Sequence, residues 1–202
     1  MSGHQIHGAC GYEFLEAPSS WLQRLALSQG VPMPELCKWL EIKYGPDLDV
    51  NFAAANVREI ARRCGFPETT FFGICRILAS IQSLGLSVSP LLRLRSSAAY
   101  QFCPICVRQQ DPPCLLIHWR LRPYKMCYRH LCLMENACPA CGRLVTLARQ
   151  RADIPRASIA FVTQCMCCGQ LLSKAEPIFV NDLSYQDLSW QEREQLDNGC
   201  AF

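Results

Sequence analysis

Between Cys103 and Cys168 the sequence sets out one arrangement twice: a pair of metal-binding side chains two residues apart, a gap, then a second such pair. The first unit is Cys103-Pro-Ile-Cys106, twenty residues, then Cys127-Tyr-Arg-His130. The second is Cys138-Pro-Ala-Cys141, twenty-three residues, then Cys165-Met-Cys-Cys168. These eight side chains are enough for two tetrahedral zinc ions, one held by three cysteines and a histidine, the other by four cysteines. Pro104 and Pro139 pre-set the tight turns in which two thiolates grip one ion. Gly142 and Gly169 follow the last cysteine of their turns, where a residue without a side chain lets the backbone curl toward the sulfur. Cys167 is placed to replace Cys165 or Cys168 as a ligand, and the spacing leaves that choice open.

Four protein ligands leave no position for water or substrate, so both ions are expected to be structural. The competing reading of the cysteine pairs is disulfides or thioredoxin-like redox chemistry. No signal peptide and no apolar run of membrane-spanning length is apparent, so a cytoplasmic chain with reduced or metal-bound thiols is expected. Of the other cysteines, Cys37, Cys64 and Cys75 fall in apolar helical patterns and read as small core residues. Cys114 and Cys132 lie off the two-residue ligand spacing and are expected to be dispensable for metal.

Charge is unevenly spread along the 202 residues: residues 1–50 carry net −3, residues 51–156 net +10 and residues 157–202 net −4. The basic block is almost all arginine, the side chain suited to bidentate phosphate contact. Arg93, Arg95, Arg120, Arg122, Lys125, Arg143, Arg149 and Arg151 fall within or beside the metal units, where only five acids share their block. Most of them are expected to face outward and meet phosphates of RNA or DNA, with a solvated arginine surface as the alternative. The acidic ends would then serve protein partners.

The fold expected is a small helical domain with zinc ribbons: an N-terminal helical, helix-turn-helix-like domain over 1–98, tandem zinc ribbons over 99–175, and an acidic tail over 176–202. Ser19 and Ser20 offer an N-cap to a helix ending at Gly30. A second helix starts near Pro34 and runs to Gly45-Pro46, a third spans about 53–64, and a fourth runs from about Glu68 to Leu84. Residues 87–100 read as an extended linker, and Trp190 and Leu196 suit a short terminal helix. The third and fourth helices, broken at Gly65-Phe66-Pro67, have a helix-turn-helix layout. The fourth is poor in base-reading chemistry, with Arg76 its only basic group, so a packed helical hairpin competes with DNA readout. Trp21 and Trp119 read as aromatic anchors of the core. An exposed Trp21, with Arg24, would instead dock a protein partner.

The order of Ser20-Trp21-Leu22-Gln23-Arg24-Leu25-Ala26, Cys103-Pro-Ile-Cys106, His118-Trp119-Arg120-Leu121, Cys127-Tyr-Arg-His130, Leu133 and Cys138-Pro-Ala-Cys141-Gly142 resembles the TniQ family, over roughly residues 12–175. These are prokaryotic target-selection proteins of transposons that use an AAA+ ATPase regulator. The resemblance implies an adaptor that brings a TnsC-like ATPase filament to target DNA chosen by a CRISPR effector with its guide RNA, or by direct recognition in the related TnsD group. The sequence runs thirty-four residues past Cys168, which is similar to the short, CRISPR-associated type. A rival reading is a stand-alone zinc-ribbon and helix-turn-helix regulator of a DNA operator. No carboxylate triad, phosphate-binding Gly-x-x-x-x-Gly-Lys or His-Glu-x-x-His pattern occurs, so neither an enzyme nor a small-molecule substrate is expected.

Overall fold

The computed structural model describes residues 6–83, 90–147 and 161–182, with 188, 189 and 193. Its first helix, α1 (Pro18–Gln29), opens at a proline whose fixed φ suits a first turn. Ser19 and Ser20, expected as the cap, lie inside that turn, and their hydroxyls make tertiary contacts instead. Gly30 closes the helix at φ 64, the left-handed conformation that an L side chain resists. Helix α2 (Met33–Trp39) stops well before Gly45-Pro46. Glu41 turns left-handed at φ 59, and the Ile42 N–H bonds back to the Cys37 carbonyl at 2.8 Å.

The helix expected over 53–64 is α4 (Val57–Arg63), which starts later, and a short helix that was not expected, α3 (Leu48–Ala53), precedes it. Asn56 causes the break, because its side chain accepts from the Glu59 N–H and starts a new helix. Helix α5 (Phe72–Ser83) begins later than Glu68. Thr70 gives both its N–H and its hydroxyl to the Pro67 carbonyl, which makes a turn there, and Phe71 drops into the core. The helix-turn-helix-like pair is therefore α4 and α5, joined by a connector from Cys64 to Phe71. That connector is longer than the turn of about 3–4 residues in DNA-reading pairs.

The stretch read as a linker forms a hairpin, β1 (Arg93–Leu94) and β2 (Ser97–Tyr100). Helix α6 (Pro104–Gln109) follows within the first ligand pair. Strands β3 (Met126–Cys127) and β4 (Cys132–Leu133) pair antiparallel, Cys127 opposite Cys132, and Phe179 bridges to the free side of Cys132. Strand β5 (Val145–Thr146), from the second metal unit, pairs with β2 to give the order β1-β2-β5. One buried apolar cluster extends from Ala17 to Ala175, with no gap in the core at residues 98/99. The suggested terminal helix and residues 84–89 lie outside the described residues.

Two packing centres hold the helical part. Trp21 is fully buried, its ring 5.0–6.2 Å from those of Tyr12, Phe52, Phe66 and Phe71. Its indole N–H donates to the Cys10 carbonyl at 3.1 Å, so both its apolar body and its polar handle are satisfied inside the fold. The second centre is polar. Arg120 is buried and forks onto Asp47 (2.8 Å from both Nη1 and Nη2) and Asp49 (2.6 Å). Tyr100 donates to the same Asp49 carboxylate at 2.8 Å, and the Ser19 N–H donates to it at 2.7 Å. One network thus ties α1, the start of α3, β2 and the 3-10 turn at Ile117–Arg120.

Arg120 thus cannot be the outward phosphate ligand expected from the sequence. A guanidinium with two buried carboxylates is matched internally, and removing it strands two negative charges. Arg120→Met is expected to destabilise the fold by about 3–5 kcal/mol, more than Arg120→Lys, which keeps the charge but not the fork. Urea unfolding at constant zinc is the check; an unshifted midpoint would refute it. The acid limb follows in sign. Burial pushes the Asp47 carboxyl up, but Arg120 outweighs it and holds it below its ordinary value. Its stabilisation is therefore complete above the unfolded value of about 3.9 and is lost as pH falls through the folded one. Melting temperature should decline on that acid side, and less so in Asp47→Asn.

Candidate metal centres and nucleic-acid interface

The first centre is assembled from three short elements. Cys103 is the N-cap of α6 and Cys106 lies in its first turn, with the Cys106 N–H donating to the Cys103 sulfur at 3.4 Å. Cys127 ends β3, and the turn that follows presents His130. The Leu131 N–H closes that turn on the Cys127 carbonyl at 2.7 Å, with Leu131 left-handed at φ 48. The second centre repeats the turn twice with glycine in this position. Gly142 N–H bonds to Cys138 O at 2.9 Å and Gly169 N–H to Cys165 O at 2.7 Å.

Each centre brings four donor atoms within 4.8 Å of one another: Cys103, Cys106, Cys127 and His130, then Cys138, Cys141, Cys165 and Cys168. The edges test the fit. A tetrahedral ion with metal–sulfur bonds of about 2.3 Å and metal–nitrogen bonds of about 2.0–2.1 Å needs S···S edges near 3.8 Å and S···N edges of about 3.5 Å. The structure gives 3.7 Å for Cys106–Cys127, and 3.4, 3.3 and 3.6 Å from His130 Nδ1 to the sulfurs of Cys103, Cys106 and Cys127. In the second centre Cys138–Cys168 is 3.6 Å and Cys141–Cys165 is 3.7 Å. Both donor sets could therefore hold a metal ion. Cys167 is not one of the eight; its backbone N–H donates to the Cys165 sulfur at 3.4 Å.

Two supporting residues escaped the sequence reading. Gln109, at the end of α6, accepts from His130 Nε2 at 3.0 Å, which leaves Nδ1 as the lone-pair donor facing the sulfurs. Arg108 donates to the carbonyls of Ser173 and Ala175 at 2.5 and 2.6 Å, tying α6 to the 3-10 turn (Leu172–Lys174) after the second centre. Only their position on α6, beside a ligand pair, could have flagged them. Cys114 is buried beside Glu16 and Arg24, away from either ligand set.

The basic residues divide. Arg93 is half-exposed and 3.3 Å from Asp47. Arg95 sits in the β1–β2 turn, Arg122 beside the 3-10 turn and Arg143 just past the Cys138–Cys141 pair, all exposed. Arg129, not singled out from sequence, is exposed between Cys127 and His130. Lys125 is half-buried, while Arg149 and Arg151 lie outside the described residues. The structure corrects both protein-docking candidates. Trp21 is core, and Arg24 grips the buried Glu16 at 2.6 and 2.9 Å while donating to the Gly11 carbonyl at 2.6 Å. Three of the six acids of the N-terminal segment are withdrawn from any partner: Glu16, Asp47 and Asp49 are buried in internal pairs, whereas Glu35 and Glu41 are exposed.

The TniQ family profile matches residues 11–134, which takes in α1 through α6 and the whole first ligand set. The chain belongs to the TniQ family. No curated protein matches it. Membership places it in transposition, in the choice of target. The residues that carried the resemblance are buried here: Ser20, Trp21, Trp119 and Arg120 all lie inside the fold. No helix among the described residues is long and apolar enough to cross a membrane.

Metal removal should expose the difference between the two centres. Cys127→Ser is expected to lower bound metal by one ion per chain and unfold the hairpin of β3 and β4. Metal binding in small modules contributes about 10–16 kcal/mol that is also folding free energy. Elemental analysis and proteolysis check this; two ions retained would refute the ligand assignment. Gln109→Ala should keep the count but weaken retention at the first centre about 10–100-fold against a chelator.

Proposed function

We propose that this TniQ protein is a non-enzymatic adaptor with two structural zinc ions, linking a guide-RNA CRISPR effector at target DNA to a TnsC-like AAA+ ATPase. Zinc is the metal of choice because soft thiolate and imidazole donors at tetrahedral edges select it, and full protein ligation suits a structural role. The observation that carries the adaptor reading is the single core shared by the helical part and both metal units, within a chain of this family. Such a body holds separate surfaces at fixed spacing, which is what bridging two assemblies requires.

The α4–α5 pair does not favour sequence reading. The Arg58 guanidinium lies 5.3 Å over the Phe72 ring, at the N-terminal end of α5 where base contacts would be made. Exposed Arg95, Arg122, Arg129 and Arg143 instead suit phosphates, whose contacts position a protein without specifying sequence. The rival, a TnsD-like or stand-alone DNA regulator, predicts a defined footprint from the chain alone.

The separating experiment measures duplex DNA and guide-RNA binding over a salt series, with and without the ATPase. The adaptor reading expects sequence-tolerant binding, with a log–log salt slope of about −0.7 to −0.9 per phosphate neutralised, and co-binding with the ATPase filament. Joint replacement of Arg95, Arg122 and Arg143 by Glu should weaken binding and flatten the slope while two zinc ions stay bound. A sequence-specific footprint without the ATPase would replace this reading by the regulator. An unchanged slope would remove the phosphate contact from these arginines.

A further inference from the structure

Cys132 lies outside the ligand pattern, yet its sulfur is 3.5 Å from that of Cys103. It is fully buried on β4, directly across from Cys127 on β3. The tetrahedral edges of the first centre are already supplied by four other atoms, and Cys132 is not among the donors lying within 4.8 Å of one another. Its sulfur therefore rests against one corner of the polyhedron from outside.

We propose that Cys132 is a positioning residue of the first centre, whose S–H donates to the Cys103 thiolate and sets that thiolate's reactivity. The inference rests on the metal-holding reading of the centre. A ligating cysteine has surrendered its proton, so across this pair only Cys132 can give one. A thiol is a weak donor in water, but here both sulfurs are buried and the contact gains from the low local dielectric. Cys103 already accepts from the Cys106 N–H, so its sulfur would carry two donors on the protein side. At the second centre the donor to Cys165 is a backbone N–H, from Cys167. Donors to a ligating sulfur withdraw charge from it, which makes the thiolate a poorer nucleophile toward electrophiles and oxidants.

The test uses the full chain loaded with cobalt(II) or zinc, comparing wild type with Cys132→Val, which keeps the shape without a donor, and Cys132→Ser, which keeps a donor. The valine variant should retain two ions per chain and an undiminished sulfur-to-cobalt charge-transfer band, but with that band moved to longer wavelength. Iodoacetamide should release zinc from it several-fold faster, and the serine variant should behave as wild type. An unmoved band with an unchanged release rate would overturn the proposal and leave Cys132 a filler of space. A band weakened by the share of one thiolate would overturn it by making Cys132 a ligand. Should the valine variant not fold, the Raman S–H difference between loaded wild type and Cys132→Ser decides. A stretch below the free-thiol position supports the donor, and an unshifted one overturns it. Wild-type protein that takes no cobalt at the first centre would overturn the metal reading along with this one, whereas loaded protein with an unmoved band overturns this one alone.

Discussion

The arrangement depends on one buried cation. Arg120 reaches from the 3-10 turn beside the first metal unit to carboxylates at both ends of the α3 cap, Asp47 and Asp49. Asp47 itself caps α3 by accepting from the Val50 N–H at 3.4 Å, so the same side chain that starts a helix also receives the guanidinium. Asp49 is shared by the Ser19 N–H and the Tyr100 hydroxyl. Burial of an ion pair is costly, and a pair like this is a weak source of net stability. What it fixes is register, since a fork with two carboxylates accepts only one placement of the four segments it joins.

The metal centres solve a different problem. Strands of two residues, such as β3, β4 and β5, carry too few ladder bonds to stand alone. Ligands at the ends of such strands convert metal affinity into folding energy. The centres are not separate beads, because β5 of the second unit completes the sheet begun by β2, and Arg108 ties α6 to the turn beyond Cys168. Losing the second ion would therefore loosen an edge of the sheet that also carries Tyr100, one link in the Arg120 network.

The ligand sets were legible because metal geometry acts over two residues, and so writes itself directly into spacing. The C-terminal end of α1 and the helical pair were legible for the same local reason, through Gly30 and the break before α5. What failed depended on distant partners. Ser19 and Ser20 look like a cap until Asp49 and Glu16 claim them from thirty residues ahead and four behind. The start of α4 at Asn56 was hidden because Ala53, Ala54 and Ala55 before it are good helix formers, and a single side-chain cap outweighed them. Arg120 is indistinguishable in sequence from Arg122, two residues on, although one is buried and the other exposed.

That difference changes the meaning of the charge pattern. Read along the chain, residues 1–50 are an acidic segment and residues 51–156 a basic one. In three dimensions Asp47 and Asp49 face Arg120, Glu16 faces Arg24, and Glu41 faces Arg63 at 2.5 Å. The acidic segment has largely been spent on internal pairing, much of it with arginines of the basic block. The exposed cations remaining near the metal units sit in short turns: Arg95 between β1 and β2, Arg129 beside His130, Arg143 beside Cys141. Turns closed by metal ligands have little freedom, so a guanidinium on such a turn loses less entropy when it meets a phosphate. Metal ions held by these two four-ligand sets would be closed to chemistry, yet would still act at the surface by fixing the turns that carry Arg129 and Arg143, the positions proposed above for phosphate contact.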